Sequence, residues 1–147
     1  MVAALMFAHA AFAEGDHHSP RVPLLPKYLS ECGACHAAFP PGMLPATAWQ
    51  RLMSGLGKHF GTDASLDPAT QKELAAWLAL NAGTGKYARE EPPQDRITRA
   101  AWFIRKHREV PATTWKLAAV NSAANCGACH KRSDQGNFDE HEVRIPR

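Results

Sequence analysis

One pentapeptide occurs twice in this chain and constrains its fold more than any other feature. The sequence Cys-Gly-Ala-Cys-His stands at residues 32–36 and returns unchanged at residues 126–130. Two cysteines two residues apart and followed at once by histidine form the attachment signature of a c-type haem, because each thiol can form a thioether to the porphyrin while the imidazole reaches the iron. The two copies therefore predict two covalently attached haems.

The cysteines of the two motifs are the predicted attachment points. Cys32 and Cys35 would hold the first haem, and Cys126 and Cys129 the second. These are all 4 cysteines of the chain. No sulfur is therefore left for a disulfide framework or for a redox cysteine elsewhere.

Two other chemistries also use Cys-x-x-Cys pairs. A zinc ribbon separates its pairs by roughly 15 to 20 residues, whereas Cys35 and Cys126 lie much further apart, and zinc would leave both adjacent histidines without a role. Thioredoxin-like chemistry needs a pair that follows a strand in a βαβ unit, and no strand pattern precedes either pair. The spacing favours haem, with zinc and dithiol chemistry as the alternatives.

The first residues of the chain indicate export. Residues 1–13 are almost wholly apolar and end in Ala11-Phe12-Ala13, the small-x-small pattern that precedes signal-peptidase cleavage. An ordinary N-terminal helix is the alternative. This run is too short to span a bilayer, and no later window carries a longer one, so we expect a soluble mature protein.

The formal charge of +3 says little about partners. Two haems would contribute about four negative propionates and, when ferric, about one positive charge per porphyrin core. The charge of the holoprotein is therefore close to zero, and neither a nucleic acid nor an acidic partner is predicted from it.

Apolar periodicity in the first half predicts three helices. The first, over residues 27–38, presents the first motif and ends before Pro40-Pro41-Gly42. The second opens near Pro45 to Thr47, and Asp67-Pro68 is a cap-and-proline start for the third, which packs through Leu74, Trp77 and Leu78. The apolar face of the second helix has i, i+3, i+4, i+7 spacing and consists of Trp49, Leu52, Met53 and Leu56.

The charged, proline-containing segment 87–95 is the predicted linker to a second lobe. There, Thr98 is a candidate cap for a helix whose apolar face, Ala100, Phe103, Ile104 and His107, has the same spacing. The tail from residue 131 should have no long regular structure. The predicted fold is mainly α, with two small helical c-type haem lobes joined by a short linker: signal peptide 1–13, first haem lobe 14–91 and second haem lobe 92–147.

Each motif also supplies an iron ligand. His36 and His130 directly follow the cysteines and are the predicted proximal ligands. The sixth ligand decides the chemistry, because two axial imidazoles suit electron transfer, whereas an open position permits oxygen or peroxide chemistry. For the first haem we predict His59, which continues an apolar face, with Met53 or a non-ligating core role for His59 as the alternatives.

The sixth ligand of the second haem has two candidates. His107 continues an apolar helical face and should point inward, where a haem would lie. His141 lies in an acidic stretch without apolar periodicity, although an extended chain from His130 is long enough for it to reach round the haem edge. We predict His107, and the spacing does not exclude His141. Met43 and Met53, the two methionines beyond the apolar N-terminal stretch, both belong to the first lobe.

Several motifs in order resemble the bacterial dihaem cytochrome c family. They run through nearly the whole chain beyond residue 13: Glu31 to His36, Pro40 to Pro45, His59 to Gly61, Arg96 to Thr98, Trp102-Phe103, His107 to Glu109, Asn125 to His130, Gly136 to His141 and Arg144 to Arg147. The resemblance implies a soluble periplasmic electron carrier with two low-spin bis-histidine haems. It also implies, as redox partners, an oxygen-binding monohaem cytochrome c and a membrane cytochrome b.

The rival interpretation is an enzyme. A peroxidase-like or ligand-binding dihaem protein would leave one iron open, and in the sequence only the helical placement of His59 and His107 argues for closure. We expect an electron carrier rather than an enzyme, since the redox chemistry belongs to the haem and the protein insulates it and fixes its ligands.

Overall fold

Helices and short 3₁₀ turns make up the regular structure of residues 22–146, the part of the chain that this computed structural model describes. The four α-helices are α1 (Pro26–Cys32), α2 (Ala46–Ser54), α3 (Pro68–Leu80) and α4 (Ala101–Lys106). Residues 22–146 contain isolated β-bridges but no strand. The predicted mainly α fold of two small haem lobes is confirmed. The predicted signal peptide, residues 1–13, lies outside the described residues.

The 3₁₀ turns connect these helices and are most frequent after α3. They are Pro41–Met43, Leu56–Lys58, Gly85–Tyr87, Pro93–Asp95, Ile97–Arg99, Thr114–Lys116, Cys126–Ala128, Ser133–Gln135 and Glu140–Glu142. No helix within residues 22–146 has the length and apolar character that crossing a membrane requires.

The first lobe is built around the contact between α2 and α3. Trp49 and Met53 of α2 and Leu74 and Leu78 of α3 are buried, together with Tyr28 of α1. The predicted apolar face of α2 therefore packs in the core, although its last member, Leu56, lies in the 3₁₀ turn after the helix. Burial of each of these large side chains contributes about 1.5–3 kcal/mol relative to leaving it exposed. The polypeptide thus provides this lobe with a core of its own.

The start of α3 agrees with the sequence. The side chain of Asp67 accepts hydrogen bonds from the backbone N–H groups of Ala69 and Thr70, both at 3.0 Å, and Pro68 is the first helical residue. Such a cap satisfies two of the backbone donors that a helix N-terminus leaves unpaired.

Three details of the helical prediction are wrong. The first helix ends at Cys32 instead of continuing to residue 38, because the chain turns at Gly33. Thr98 does not cap α4, since it lies in a separate 3₁₀ turn and Ala100 occupies the N-cap position without a side-chain hydrogen bond. Ile104 is 60% exposed, because α4 lasts only six residues and buries Phe103 alone.

The second lobe has little helix and a small polypeptide core. Its buried apolar residues are Ala100, Phe103, Val120 and Ala128. As predicted, its tail has no long regular structure, and polar contacts hold it instead. Arg132 donates twice to the carboxylate of Glu142, at 2.7 and 2.6 Å, and the backbone N–H of Arg144 donates to the carbonyl of Cys129 at 2.9 Å.

The predicted linker packs against the first lobe. Arg51 of α2 binds Asp95 at 2.7 Å and Glu91 at 2.8 Å, and Thr47 donates to Glu91. Ile97 also packs against the core of the first lobe. Contacts with α2 therefore hold the second half of the linker, residues 91–95, against the first lobe. The division of the chain at residue 92 stays a prediction.

Candidate haem sites

The first motif brings its histidine opposite His59. His36 follows α1, His59 follows the turn Leu56–Lys58, and the centroids of their rings lie 6.1 Å apart with an angle of 24° between the planes. The Nδ1 of His36 lies 2.7 Å from the carbonyl oxygen of Ala37. Because a carbonyl only accepts, Nδ1 carries the proton, and the lone pair of Nε2 remains available for a metal.

The second motif brings its histidine opposite His107. The rings of His107 and His130 also have centroids 6.1 Å apart, but their planes are inclined by 74°. The Nδ1–H of His107 donates to the carbonyl of Phe103 at 2.9 Å, which again leaves Nε2 free. Phe103 and Trp115 lie against His107, with centroids at 4.0 and 5.9 Å, and Phe138 lies against His130 at 5.3 Å.

Both ring pairs fit a metal ion between two axial imidazoles. A metal–imidazole bond is about 2 Å and the ring centre lies roughly 1.1 Å behind its nitrogen, so two imidazoles on opposite sides of one metal have centroids about 6 Å apart. Within residues 22–146, three buried side-chain nitrogens lack a hydrogen-bond partner, and two of them are the Nδ1 atoms of His59 and His130. Unlike those of His36 and His107, these Nδ1 atoms have no carbonyl beside them, so a backbone hydrogen bond orients one ring of each pair and not the other.

The electrostatics of the sites favour neutral imidazoles, the form that binds iron. Burial, followed by the neighbouring His36 and Arg96, lowers the pKa of His59. Burial, followed by the neighbouring His107, lowers the pKa of His130. A neutral ring keeps a lone pair for a metal without first losing a proton, whereas a protonated ring does not.

The thiols of the motifs are not arranged for dithiol chemistry or for zinc. Burial is the main cause that raises the pKa of Cys32 and of Cys126 to about 11, whereas redox cysteines need a lowered pKa. No cluster of three or more His, Cys, Asp and Glu side chains suited to a metal ion occurs within residues 22–146. Cys35 is exposed and Cys129 is half-buried. Covalent attachment of haem is the chemistry that accounts for all four cysteines.

A single cleft joins the two motifs. It has a volume of about 640 Å³, and residues of both pentapeptides line it, including Cys35 and His36 on one side and Cys126 and Gly127 on the other. One attachment cysteine of each motif, Cys35 or Cys126, therefore lines the same cleft, so the two attachment sites are neighbours.

The alternative ligands lie elsewhere. The side chain of His141 is 87% exposed, and its Nδ1 lies 2.9 Å from a carboxylate oxygen of Asp139. Met53 is buried in the apolar cluster between α2 and α3. His36 is paired with His59 and His130 with His107, so the four predicted iron ligands come together in two pairs. Their ligation of iron stays a prediction.

Sequence reasoning missed the groups that support the rings. The carbonyls of Ala37 and Phe103, which orient His36 and His107, leave no signal in a sequence because every residue carries a carbonyl. The contact of Arg96 with Phe60 was also missed, although both residues lie in motifs that resemble the dihaem family. Aromatic rings also contact the imidazoles: Phe39 stacks on His36, and Phe103 stacks on His107.

A mainly helical chain with two Cys-x-x-Cys-His motifs, each beside a facing pair of imidazoles, defines a c-type dihaem protein. Residues 28–138 match the model of the Dihaem cytochrome c family, and the chain belongs to this family. It carries two c-type haems, and the activity typical of the family is haem-based electron transfer.

Solved structures of similar proteins agree with this assignment. The chain is similar to a dihaem c-type cytochrome from Shewanella baltica, with 38% identity over 82% of this chain and 92% of that chain and a TM-score of 0.73. It is also similar to dihaem cytochromes c from Rhodobacter sphaeroides: one with 40% identity, 77% and 95% coverage and a TM-score of 0.68, and one with 38% identity, 77% and 96% coverage and a TM-score of 0.66. A search of curated proteins found no match.

Proposed function

We propose that this protein is a periplasmic electron carrier in which two imidazoles close each haem iron. His36 and His59 are the ligands of the first iron, and His130 and His107 those of the second. The observation that carries the proposal is the separation of the rings, because in each lobe two imidazole centroids lie 6.1 Å apart across a gap that suits one metal ion.

The side chains and carbonyls around the rings support this function. When bound, each haem supplies a reversible one-electron centre. The Nδ1–H bonds of His36 and His107 fix the orientation of those rings and increase the basicity of the ligating nitrogens. Aromatic side chains restrict water around the second pair. A closed, rigid site changes little in geometry when an electron arrives, which favours rapid transfer over substrate chemistry.

The proposed location and partners rest on the sequence. The apolar start that ends in Ala11-Phe12-Ala13 supports export to the periplasm. The resemblance to bacterial dihaem cytochromes supports a membrane cytochrome b as donor and a soluble oxygen-binding monohaem cytochrome c as acceptor. Redox partners generally meet through small, transient interfaces, and no nucleic acid is involved.

Optical spectroscopy tests the closure of both irons. The purified holoprotein should show low-spin spectra in both oxidation states, and the reduced protein should not bind carbon monoxide rapidly. A high-spin charge-transfer band in the oxidised protein, or rapid carbon monoxide binding, would mean an open iron and would support the peroxidase-like alternative. Stopped-flow reduction of an oxygen-binding monohaem cytochrome c by the reduced protein then tests the proposed acceptor.

A further inference from the structure

A half-buried cation lies beside the first ring pair. The guanidinium carbon of Arg96 is 4.1 Å from the centroid of the Phe60 ring, and the Phe60 ring is 4.8 Å from that of His59. Within residues 22–146, Arg96 forms no ion pair with a carboxylate. Although Phe60 is 44% exposed, the half-buried charge of Arg96 is screened less by water than a fully solvated charge would be.

The backbone holds this contact in place from both sides. Phe60 has a φ of +52°, a conformation that is unfavourable for a large aromatic residue. The following turn is closed by a hydrogen bond of 3.0 Å from the N–H of Thr62 to the carbonyl of His59. On the other side, Arg96 directly follows Asp95, which Arg51 binds. Arg96 is therefore held against the first lobe, although it directly follows the linker 87–95 that leads to the second lobe.

Within residues 22–146, no cation is stacked on a ring that contacts the second ring pair. Lys131, the neighbour of His130, also forms no ion pair with a carboxylate in the described part of the chain, but it is exposed and its ammonium donates to the carbonyl of Ala128 at 3.2 Å. The rings that neighbour the second pair are Phe103, Trp115 and Phe138. Within residues 22–146, Arg96 on Phe60 and Lys86 on Tyr87 are the cation–aromatic contacts, and neither involves a ring that touches this pair. Arg132, in the tail that packs beside the second motif, is neutralised by its two hydrogen bonds to Glu142.

This asymmetry has an electrostatic consequence for the two irons. Reduction adds one negative charge to a haem, and a nearby uncompensated cation stabilises the reduced form more than the oxidised form. We propose that the charge of Arg96 raises the reduction potential of the first haem relative to that of the second. The proposal rests on the proposed electron-carrier function, and it names a residue that separates the potentials of the two haems.

A redox titration of variants tests the role of Arg96. Electron paramagnetic resonance at each potential follows the low-spin signals of the two haems separately in the intact holoprotein. Arg96→Gln removes the charge and keeps a polar side chain, and Arg96→Lys keeps the charge without the planar guanidinium. Arg99→Gln is the control, since the exposed side chain of Arg99 donates to the side chain of Gln94 and contacts neither ring pair.

The expected result is a shift of the first haem to lower potential in Arg96→Gln. The second haem should shift less, Arg96→Lys should keep most of the wild-type potential, and Arg99→Gln should match the wild type. Equal shifts in Arg96→Gln and Arg96→Lys, equal shifts of both haems, or no shift would overturn the role of the charge. If Arg96→Gln loses a haem, the result for Arg96→Lys decides between the two roles. Wild-type potentials in Arg96→Lys would support the proposal, whereas loss of a haem in Arg96→Lys as well would make Arg96 a structural support. Each result that overturns the proposal is compatible with two low-spin irons in the wild-type protein. An open iron in the wild-type protein would instead refute the proposed electron-carrier function.

Discussion

The two copies of Cys-Gly-Ala-Cys-His are identical, but the lobes around them are built differently. The first lobe packs α2 against α3 and buries Trp49, Leu74 and Leu78. The second has only the six residues of α4 and a series of 3₁₀ turns. A small domain with so little apolar burial needs another source of stability. The first lobe has a polypeptide core, and we therefore expect the second lobe to depend more strongly on its haem.

The ring pairs differ in a second way. Their centroid separations are equal, but the planes are close to parallel in the first pair, at 24°, and close to perpendicular in the second, at 74°. The ring that donates to a backbone carbonyl is the motif histidine His36 in the first pair and the opposite histidine His107 in the second. The same motif thus occurs in two sites that have equal separations between the ring centroids but different angles between the ring planes.

The largest expected effect comes from removing the attachment of one haem. With Cys126→Ser and Cys129→Ser together, we expect a mass with one haem and amide hydrogen exchange in residues 98–146 close to that of an unfolded chain, while α2 and α3 stay protected. The reason is that the second lobe has few buried side chains of its own.

The matched control is Cys32→Ser with Cys35→Ser. Because α2 and α3 keep their apolar contacts, they should retain most of their protection from exchange, measured by mass spectrometry on proteolytic fragments. Equal loss of protection in both lobes, for either double variant, would refute the idea that the second lobe depends more strongly on its haem.

The second effect concerns the ligand of the second iron. His107→Ala should convert that iron from low to high spin and allow carbon monoxide to bind, because the ring opposite His130 is gone. His141→Ala should leave it low-spin, since the His141 side chain is largely exposed. Magnetic circular dichroism counts the high-spin irons. The opposite pattern would make His141 the ligand.

A smaller effect separates the glycines of the two motifs. A Cβ on Gly33 would lie 2.4 Å from the carbonyl oxygen of Leu29, whereas the nearest atom to a Cβ on Gly127 is the Ser133 hydroxyl at 3.6 Å. Gly33→Ala should lower the free energy of unfolding by about 1–3 kcal/mol, the usual cost of overpacking, and Gly127→Ala should be close to neutral. Denaturant titration of both holoproteins measures this, and equal losses would contradict the difference in environment.

The smallest effect comes from the cap that α3 has and α4 lacks. Hydrogen bonds from Thr70, and then from Ala69, lower the pKa of Asp67 in the folded protein. A lowered pKa means that the carboxylate stabilises the fold above its unfolded pKa of about 3.9 and loses this contribution as the pH falls through the folded value.

Asp67→Asn keeps the cap but cannot titrate in this range. The difference in the free energy of unfolding between wild type and Asp67→Asn should therefore be constant near neutral pH and shrink below about pH 4. Urea titrations at several pH values measure it, with Asp67→Ala as the variant that loses the cap at every pH. A difference that does not change with pH would show that the charge of Asp67 has no role.

The sequence was most informative where local chemistry decides the structure. The α2 face of Trp49 and Met53 and the start of α3 at Asp67 follow from periodicity and capping, and the structure contains both. Prediction failed in the second lobe, where Thr98 does not cap and Ile104 is exposed. The second lobe has few buried side chains against which a helix face could pack. The spacing of apolar residues therefore does not predict there which side chains are buried.

The sites show the same limit. The nearness of His59 to His36 and of His107 to His130 was predicted from which faces are apolar, but the ring orientations come from backbone carbonyls and turns. The positive φ of Phe60 belongs to the turn between His59 and Thr62. Its contact with Arg96 joins residues that are far apart in the sequence, so no local pattern encodes that contact.

The most direct test of the account is electron paramagnetic resonance of the fully oxidised holoprotein, with the spins quantified. Closure of both irons by paired imidazoles predicts two low-spin signals of equal intensity. One should have the shape typical of near-parallel imidazole planes and the other the strongly anisotropic shape typical of near-perpendicular planes, as the 24° and 74° angles require. A high-spin signal that accounts for either haem would contradict the account.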